Sequence, residues 1–418
     1  MRMISASEHR LKAHPALLRG LWARTEPWLP VLGVLLAVGL GAVGAYRAIG
    51  HTSDFRGFYE PARALIRTGH VPVDRYPPTF HLLVAPLALL PLWAAALVWQ
   101  GLNVASLILL PVLLARLMSV PPARQALSWL VVLPFVWDNL VLGQSGPGLL
   151  FLVTAGLLWI RDRMPVRGGV LLGAATLIKV IPGVFLLIPA ALGRRRRTAL
   201  GFAIAGLVSA AVLVGALGLR DSAAWAGRWV SNVARHHTGE GMLETMHGVR
   251  YNNQSVLATL GRTFGDVPVA EARGATRIAN LPPSAISGIN DAILLALLGW
   301  TLAAAICARR IPAEKAWGAV GALTALLVLL LSPVVWTHYF IWWLPAVVYL
   351  SRRRLLLVCL GVLSGAALCS VTLRGLGAHL VVTLVLYGTI LADIFKHRPR
   401  GAMLSPGAAE KEPGTSRS

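Results

Sequence analysis

Long apolar segments, separated by short polar ones, run through almost the whole chain. Several approach the ~20 residues that a helix needs to cross a bilayer. This pattern predicts an all-α integral membrane protein, a polytopic bundle of about 12 transmembrane or partial helices. The clearest spans are predicted at Trp28–Ile49, Leu92–Leu117, Ala126–Leu142, Ala199–Leu219, Ala292–Ala308, Trp317–Leu331, Leu355–Leu373 and Leu376–Phe395.

Two apolar segments do not fit full spans. Thr79–Leu90 is too short to cross a bilayer, so we predict a partial or interfacial helix there. Residues 168–193 have basic clusters at both ends but are too short for two full helices. We predict two short helices that bend near Lys179 and Pro182, and one ordinary span with Lys179 buried is the alternative. A lysine at membrane depth is costly and therefore indicates function.

The first polar loop carries a helical pattern of its own. From Asp54 to Thr68, apolar residues recur at spacings of three and four, as they do in an interfacial helix with one face in lipid. Ser53 or Asp54 can cap its start, and Gly69 can end it. Asp54 is therefore predicted to sit at a fixed place at the membrane–water boundary.

The distribution of charge predicts how the bundle is oriented in the membrane. Only 13% of the residues are charged, yet the formal net charge is +22. Much of the positive charge lies in short clusters between spans, which indicates membrane orientation and contact with anionic lipid rather than binding of nucleic acid. We predict a cytoplasmic N-terminal tail at residues 1–26, a membrane module at 27–397 with outer loops at 50–78 and 220–290, and a disordered cytoplasmic tail at 398–418. The three cysteines all lie in apolar segments without metal-ligand spacing.

This orientation collects the unusual polar residues at the outer face. They are Asp54, Tyr76, Gln144, Lys179, Asn253, Gln254 and His338. A transporter is expected to place such groups near the midplane of the membrane, and this chain has few there. The pattern favours an enzyme that acts on a lipid-borne substrate at the outer surface, and a lipid or polysaccharide transporter is the alternative.

A lipid-linked glycosyl phosphate would suit such a site. It already carries a good leaving group, so an inverting transfer needs one base and a set of positive or hydrogen-bonding groups for the departing phosphate. We assign Asp54 as the catalytic base, with Glu60 and Asp74 as rivals in the same loop. The phosphate side is assigned to Arg56, Lys179 and His338, and the sugar or acceptor side to Tyr76, Gln144, Asn253 and Gln254. The Asp54 loop has no Asp-x-Asp motif, so we expect no metal and no cofactor.

Each assignment has a structural alternative. Lys179 could extend its amino group from a kinked helix to the interface, and His338 could cap an interfacial helix. The amides of Gln144, Asn253 and Gln254 could bond to the backbone of their own loops.

The order of these residues resembles glycosyltransferase family 87. The resemblance rests on Asp54 with Tyr59 and Ala62, Tyr76-Pro77-Pro78, Pro86 and Pro91, Gly143-Gln144, Lys179 with Pro182, Asn253-Gln254-Ser255, and Ser332-Pro333 with Trp336 and His338. It implies a GT-C-type membrane module, a polyprenyl-phosphate donor of mannose or a related hexose, and inversion at the anomeric carbon. The family's base, an acid in the first outer loop, matches Asp54.

The resemblance implies a hexosyltransferase of a bacterial plasma membrane, with both termini cytoplasmic and the active site on the extracytoplasmic face. Its partners would be the lipid-linked donor, membrane lipids, and a glycolipid or cell-envelope glycan as acceptor. The alternatives are a related transferase for arabinose or a phosphate group, and a relative without catalytic activity.

Overall fold

The structure is a computed structural model, and it describes residues 29–50, 53–69, 76–236, 239–245, 249–266 and 277–396. The two predicted tails, 1–26 and 398–418, lie outside these ranges. Every regular element among the described residues is a helix. The first half contains α1 Leu29–Ile49, α2 Asp54–Thr68, α3 Pro78–Ala88, α4 Leu92–Met118, α5 Ala126–Leu142, α6 Gly146–Arg161, α7 Pro165–Ile178, α8 Leu187–Ala191 and α9 Arg195–Leu217. The second half contains α10 Leu219–His236, α11 Gly239–Leu243, α12 Val256–Phe264, α13 Pro283–Cys307, α14 Ala313–Leu331, α15 Leu344–Tyr349, α16 Arg354–Cys369, α17 Val371–Gly375 and α18 Ala378–Lys396.

The helices form a multi-pass membrane bundle. Within the described part of the chain, six helices are long and apolar enough to cross a membrane, and five shorter apolar helices accompany them. α1 and α2, which meet at an angle of 53°, add a seventh candidate if they are counted as one broken span. α14 is the central helix, because 83% of its apolar 18-residue stretch is buried inside the protein. By contrast, only 17% of the apolar 18-residue stretch of α9 is buried, so most of α9 faces lipid.

The predicted bend near Lys179 is confirmed. α7 ends at Ile178, and Lys179 has an extended backbone that breaks the helix. A 3-10 turn over Ile181–Leu186 and the short helix α8 then complete the segment. The short helix predicted within Thr79–Leu90 is also present, as α3.

The helix predicted after Ser53 has the expected ends, but its environment differs from the prediction. The Ser53 hydroxyl accepts from the Phe55 amide at the start of α2, and Gly69 ends the helix in the left-handed conformation. Phe55, Phe58, Tyr59, Ala62 and Leu65 are all buried. The first four pack on α3 and α4, and Leu65 packs with Leu213 of α9 and Trp225 of α10, so all five contact protein rather than lipid. The prediction of a lipid-facing surface for these residues was therefore wrong. A helix that packs on protein and one that lies on lipid show the same apolar spacing.

Two further regions differ from the prediction. The outer loop predicted at 220–290 contains α10, α11 and α12 and the beginning of α13. The sequence also predicts an outer turn at Ser332–His338 that opens a further span. In the structure the chain is irregular after Ser332, and it continues as a 3-10 helix over Thr337–Trp343 and then as α15. His338 lies in the first turn of this 3-10 helix and is buried, with only 5% of the residue exposed.

Candidate active site

Asp54 is the first residue of α2, and aromatic packing holds it in place. Phe55 stacks on Trp99 of α4 with ring centroids 5.6 Å apart. Phe58 meets Tyr76 edge-on at 5.0 Å, and the Tyr59 hydroxyl donates to the Leu90 carbonyl at 2.8 Å. Because these buried contacts lie within the two turns that follow Asp54, the carboxylate has a defined position before any substrate binds.

The tight turn between α5 and α6 forms the opposite wall. Trp99 Nε1 donates to the Gly143 carbonyl at 2.8 Å, and Asn103 Nδ2 donates to the Gln144 carbonyl at 3.0 Å. Gly143 has a φ of +69°, and a Cβ atom added there would lie 2.7 Å from Phe55 Cβ. Glycine is therefore required for the turn to approach α2 so closely.

The turn brings Gln144 to Asp54. Gln144 Nε2 donates to Asp54 Oδ2 at 2.6 Å, which links two residues far apart in the chain. Gln144 is 5% exposed and Ser145 is 4% exposed. Gln144 Oε1 and Ser145 Oγ have no hydrogen-bond partner among the described residues. Buried polar atoms of this kind normally bond to something, and a sugar hydroxyl can supply both a donor and an acceptor.

A second acid lies beside the first. Asp138, one turn before the end of α5, interacts electrostatically with Asp54 and with Arg47 of α1, and accepts from the backbone N–H of His338. The His338 ring approaches the same carboxylate, with Nδ1 3.8 Å from Asp138 Oδ2. Asn139 Nδ2 donates to the His338 carbonyl. The end of α5 therefore positions His338 through both its backbone and its ring.

Lys179 joins this group from the other side. Its Nζ lies 4.4 Å from the centroid of the Tyr339 ring and 6.0 Å from that of Tyr76. Tyr339 in turn meets the His338 ring at 4.7 Å. Thr79 Oγ1 donates to the Leu177 carbonyl at 2.9 Å and so attaches α3 to the end of α7. The structure thus brings the predicted residues Asp54, Tyr76, Gln144, Lys179 and His338 to one end of the bundle.

Arg56 and Glu60 pair with each other along α2, and a role for Arg56 at the phosphate stays a prediction. Arg56 Nε lies 3.7 Å from Glu60 Oε1 along the exposed side of α2. Residues two apart on a helix do not face each other, so Arg56 lies on a different side of the helix from Asp54. Glu60 is engaged in the same ion pair, and the other rival base, Asp74, lies outside the described residues.

Asn253 and Gln254 are buried and bond to the backbone of neighbouring segments. Asn253 Oδ1 accepts from the Val335 amide at 2.9 Å, and Gln254 Nε2 donates to the carbonyls of Tyr251 and Arg374 at 2.8 and 2.7 Å. These contacts correspond to the structural alternative considered from the sequence. The two amides shape the irregular segment that precedes His338, while a direct sugar contact stays a prediction.

Arg262 is buried and bonds to the segments around Asn253. It is 1% exposed. Its guanidinium donates to the carbonyls of Gly375, Arg250 and Asn253 at 3.0, 2.8 and 2.8 Å, and to Thr259 Oγ1 at 3.2 Å. Burial lowers the pKa of Arg262 to about 10, which still leaves it charged at neutral pH. Sequence reasoning missed this residue because nothing marks an arginine in a polar loop as buried.

Asp138 and Tyr339 were also missed as site residues. The only sequence signal for Asp138 is an acid in the last turn of an otherwise apolar span, a position where acids are rare. Tyr339 has no signal beyond its place next to His338. Among the described residues, no group of three or more His, Cys, Asp or Glu side chains could hold a metal ion.

Comparison with known proteins identifies the family. The sequence profile of glycosyltransferase family 87 matches residues 75–333, more than half of the chain. The chain belongs to glycosyltransferase family 87. The resemblance drawn from the residues is confirmed, and so is the assignment as an enzyme.

Two curated relatives give this glycosyltransferase a closer context. One, from Mycobacterium tuberculosis, is a polyprenol-phosphate-mannose-dependent α-(1-2)-phosphatidylinositol mannoside mannosyltransferase. It is 30% identical over 383 residues, which cover 81% of this chain and 80% of the relative. The other, from Mycolicibacterium smegmatis, is a polyprenol-phosphate-mannose-dependent α-(1-2)-phosphatidylinositol pentamannoside mannosyltransferase. It is 27% identical over 285 residues, which cover 67% of this chain and 61% of the relative. No solved structure matches the glycosyltransferase.

Proposed function

We propose that this family 87 glycosyltransferase transfers mannose from a polyprenol-phosphate-mannose donor to a phosphatidylinositol mannoside. Both curated relatives carry this donor and this class of acceptor in their names. The candidate site offers groups that such a transfer can use: the Asp54 carboxylate bonded to the Gln144 amide, and the Lys179 cation beside the Tyr76 and Tyr339 rings.

In the proposed reaction, an acceptor hydroxyl oxygen attacks the anomeric carbon of the donor while the bond from that carbon to the phosphate oxygen breaks. The hydroxyl proton passes to the Asp54 carboxylate. The polyprenyl phosphate leaves with the bonding electrons, and the Lys179 ammonium offsets the added negative charge. A single displacement of this kind inverts the anomeric carbon.

The observation that carries the proposal is the 2.6 Å hydrogen bond from Gln144 Nε2 to Asp54 Oδ2. A carboxylate that only began a helix would not need an amide from a turn in another part of the chain. Here the amide fixes the orientation of the carboxylate, and the Oε1 atom of the same amide is left to accept from a substrate hydroxyl. Gln144 would thus join the base to the sugar.

We also propose that this end of the bundle faces the extracytoplasmic side of a bacterial plasma membrane, with residues 27–397 as one GT-C-type module and both termini in the cytoplasm. Arginine clusters support this orientation. Arg161 and Arg194–Arg197 lie at the ends of α6 and α9 that are away from Asp54, and positive charge near span ends favours the cytoplasm.

The test is transfer of radiolabelled mannose from polyprenol phosphate in membranes that contain wild-type protein or Asp54→Asn at equal expression. We expect the wild type to label a phosphatidylinositol mannoside, and the variant to lose ~10²–10⁴-fold in rate. Glu60→Gln is the matched control, because it removes an acid from the same helix and should retain activity. Equal labelling by the wild type and Asp54→Asn would show that Asp54 is structural. If the wild type labels another acceptor, the enzyme class stands and the acceptor is wrong.

A further inference from the structure

A basic cavity lies at the end of the bundle away from Asp54. It has a volume of about 520 Å³ and is lined by Arg163, Pro165, Gly193 and Arg194–Arg197. A second cavity of about 420 Å³ shares Arg163, Pro165 and Arg197 with it and adds Arg167. α6 runs from the Gln144 turn to this end over 16 residues, which at 1.5 Å per residue separates the two ends by about 24 Å. The cavity is therefore distinct from the candidate active site.

Close helix packing gives the cavity a rigid floor. A Cβ atom on Gly201 of α9 would lie 2.0 Å from the Val166 carbonyl, and one on Gly169 of α7 would lie 2.2 Å from the Thr198 carbonyl. Only glycine permits this approach of the two backbones. The Thr198 hydroxyl also bonds back to the Arg194 carbonyl at 2.8 Å. The first turn of α9, with its arginines, is thus held firmly against the start of α7.

The arginines of this cavity have no acidic counter-charge in the described part of the chain. The nearby acid, Asp162, is occupied by Arg116 at 2.9 Å and by Arg161 at 3.0 Å. Arg163, Arg167 and Arg194–Arg197 take part in none of the ion pairs found among the described residues. Several unpaired guanidinium groups around one cavity repel each other, and a bound anion would relieve that repulsion.

The surroundings indicate that the anion belongs to a lipid. Directly after the arginines, α9 exposes a row of large apolar side chains, which are Leu200, Ile204, Leu207 and Val208. An acyl chain can lie along this row while the phosphate of its headgroup reaches the arginines. A soluble anion has no apolar part that could pack on these side chains.

Arg163 adds a feature of the backbone. Its φ is +68°, a left-handed conformation that is uncommon for residues other than glycine. Such a conformation costs of order 1–3 kcal/mol, and functional sites are among the places where it recurs. Among the described residues other than glycine it occurs at Ser119 and at Arg163, and Arg163 lines both cavities.

We propose that this basic cavity is a binding site for the phosphate of an anionic phospholipid headgroup, separate from the lipid-linked sugar that enters the active site. Paired guanidinium groups bind the phosphate oxygens, and the exposed face of α9 receives the acyl chains.

The test measures retention of phosphatidylglycerol by the full chain in phosphatidylcholine nanodiscs that contain a small fraction of it, by native mass spectrometry. The site variant is Arg194→Gln with Arg196→Gln. The control is Arg352→Gln with Arg354→Gln, which removes the same charge from another exposed arginine cluster. We expect the site variant to retain about tenfold less phosphatidylglycerol than the wild type. The control should match the wild type, and both variants should keep sugar transfer.

Equal losses in both variants would overturn the proposal, because they would show diffuse attraction of anionic lipid to positive charge. Displacement of the lipid by inorganic phosphate at equal concentration would assign the cavity to a soluble anion instead. If the double variant does not fold, Arg163→Asn serves as the second variant, since asparagine tolerates the left-handed backbone. It should also reduce retention, and wild-type retention by Arg163→Asn would count against the site.

Discussion

Gln144 Nε2 donates a 2.6 Å hydrogen bond to Asp54 Oδ2 and so joins the first turn of α2 to the turn between α5 and α6. Replacing the amide tests whether this contact serves the reaction. Gln144→Glu keeps the shape but adds a further carboxylate beside Asp54 and Asp138. A hydrogen bond to a charged group contributes about 1.5–3 kcal/mol, so the rate of transfer should fall about 10–100-fold at neutral pH.

Initial rates of mannose transfer at saturating donor check this expectation. Gln100→Glu is the control, because Gln100 Nε2 donates to the Leu140 carbonyl in the same region, and no bond from it to Asp54 is found among the described residues. It should affect thermal stability more than rate. An unchanged rate in Gln144→Glu would contradict a role for the amide in catalysis.

Gly143→Ala should separate α2 from the turn. The left-handed φ of +69° disfavours alanine, and the new Cβ atom would lie 2.7 Å from Phe55 Cβ. We expect a loss of about 1–3 kcal/mol in stability and a loss of transfer, both seen as a lower melting temperature in detergent and a lower rate. Gly148→Ala, whose Cβ atom would lie 3.9 Å from the nearest atom, Asn103 Oδ1, should be neutral. Wild-type behaviour of Gly143→Ala would show that the turn can move.

Lys179→Met tests the phosphate side. Methionine retains much of the apolar stem near Tyr339 but removes the charge that lies 4.4 Å from the ring centroid. Loss of one cation at the departing phosphate should lower kcat/KM for the donor about tenfold or more, and the melting temperature should change little. Lys315→Met, an exposed lysine at the start of α14, is the control. An unchanged kcat/KM for Lys179→Met would indicate that the lysine only extends to the interface.

His338 and Asp138 should act as a unit. Their side chains lie 3.8 Å apart, and the His338 backbone N–H also donates to Asp138. We expect Asp138→Asn and His338→Gln each to reduce transfer, and the double variant to be little worse than the more severe single one. Rates of all four proteins give the coupling free energy. Independent effects, which multiply in the double variant, would show that the two residues do not cooperate.

Arg262→Met should destabilise the fold. The change leaves three buried carbonyls and one hydroxyl without their donor, at a cost of about 3 kcal/mol or more in unfolding free energy. Arg235→Met, at an exposed position of α10, is the control in a thermal melt. A similar melting temperature for both variants would mean that the Arg262 contacts contribute little.

Alkaline pH gives a second measurement on Arg262. Burial lowers its pKa to about 10 on folding, so above pH ~10 the unfolded chain binds more protons at this group than the folded one. The contribution of this group to the unfolding free energy should therefore rise as the pH is raised above about 10. The difference in unfolding free energy between the wild type and Arg262→Met isolates that contribution. A difference that falls as the pH rises would contradict the prediction.

The local features of the chain were predictable where a single cause determines them. Ser53 sets the start of α2 and Gly69 sets its end, because a hydroxyl cap and a left-handed glycine each act within one turn of the helix. The break at Lys179 followed from the length of the segment between two basic clusters. These features depend on a few neighbouring residues and on the thickness of the membrane.

Other features depend on contacts between distant segments. The apolar face of α2 could not be assigned to protein rather than lipid, because both surroundings favour the same side chains. Asp138 lies in a span, and its contact with His338 forms because a distant segment of the chain approaches it. The Asn253 side-chain oxygen accepts from the Val335 amide, 82 residues away in the chain, so this contact could not be predicted from the loop alone.

The aromatic face of α2 has a kinetic consequence. Because Phe55, Phe58 and Tyr59 are buried against α3 and α4, α2 cannot swing as a lid without exposing their rings to water. Asp54, the proposed base, is anchored by this packing, so the energy of substrate binding need not be used to order its carboxylate. The donor must instead move to the carboxylate. Turnover is then expected to be limited by how fast the long polyprenyl chain of the proposed donor enters and leaves the site beside the fixed helix α2.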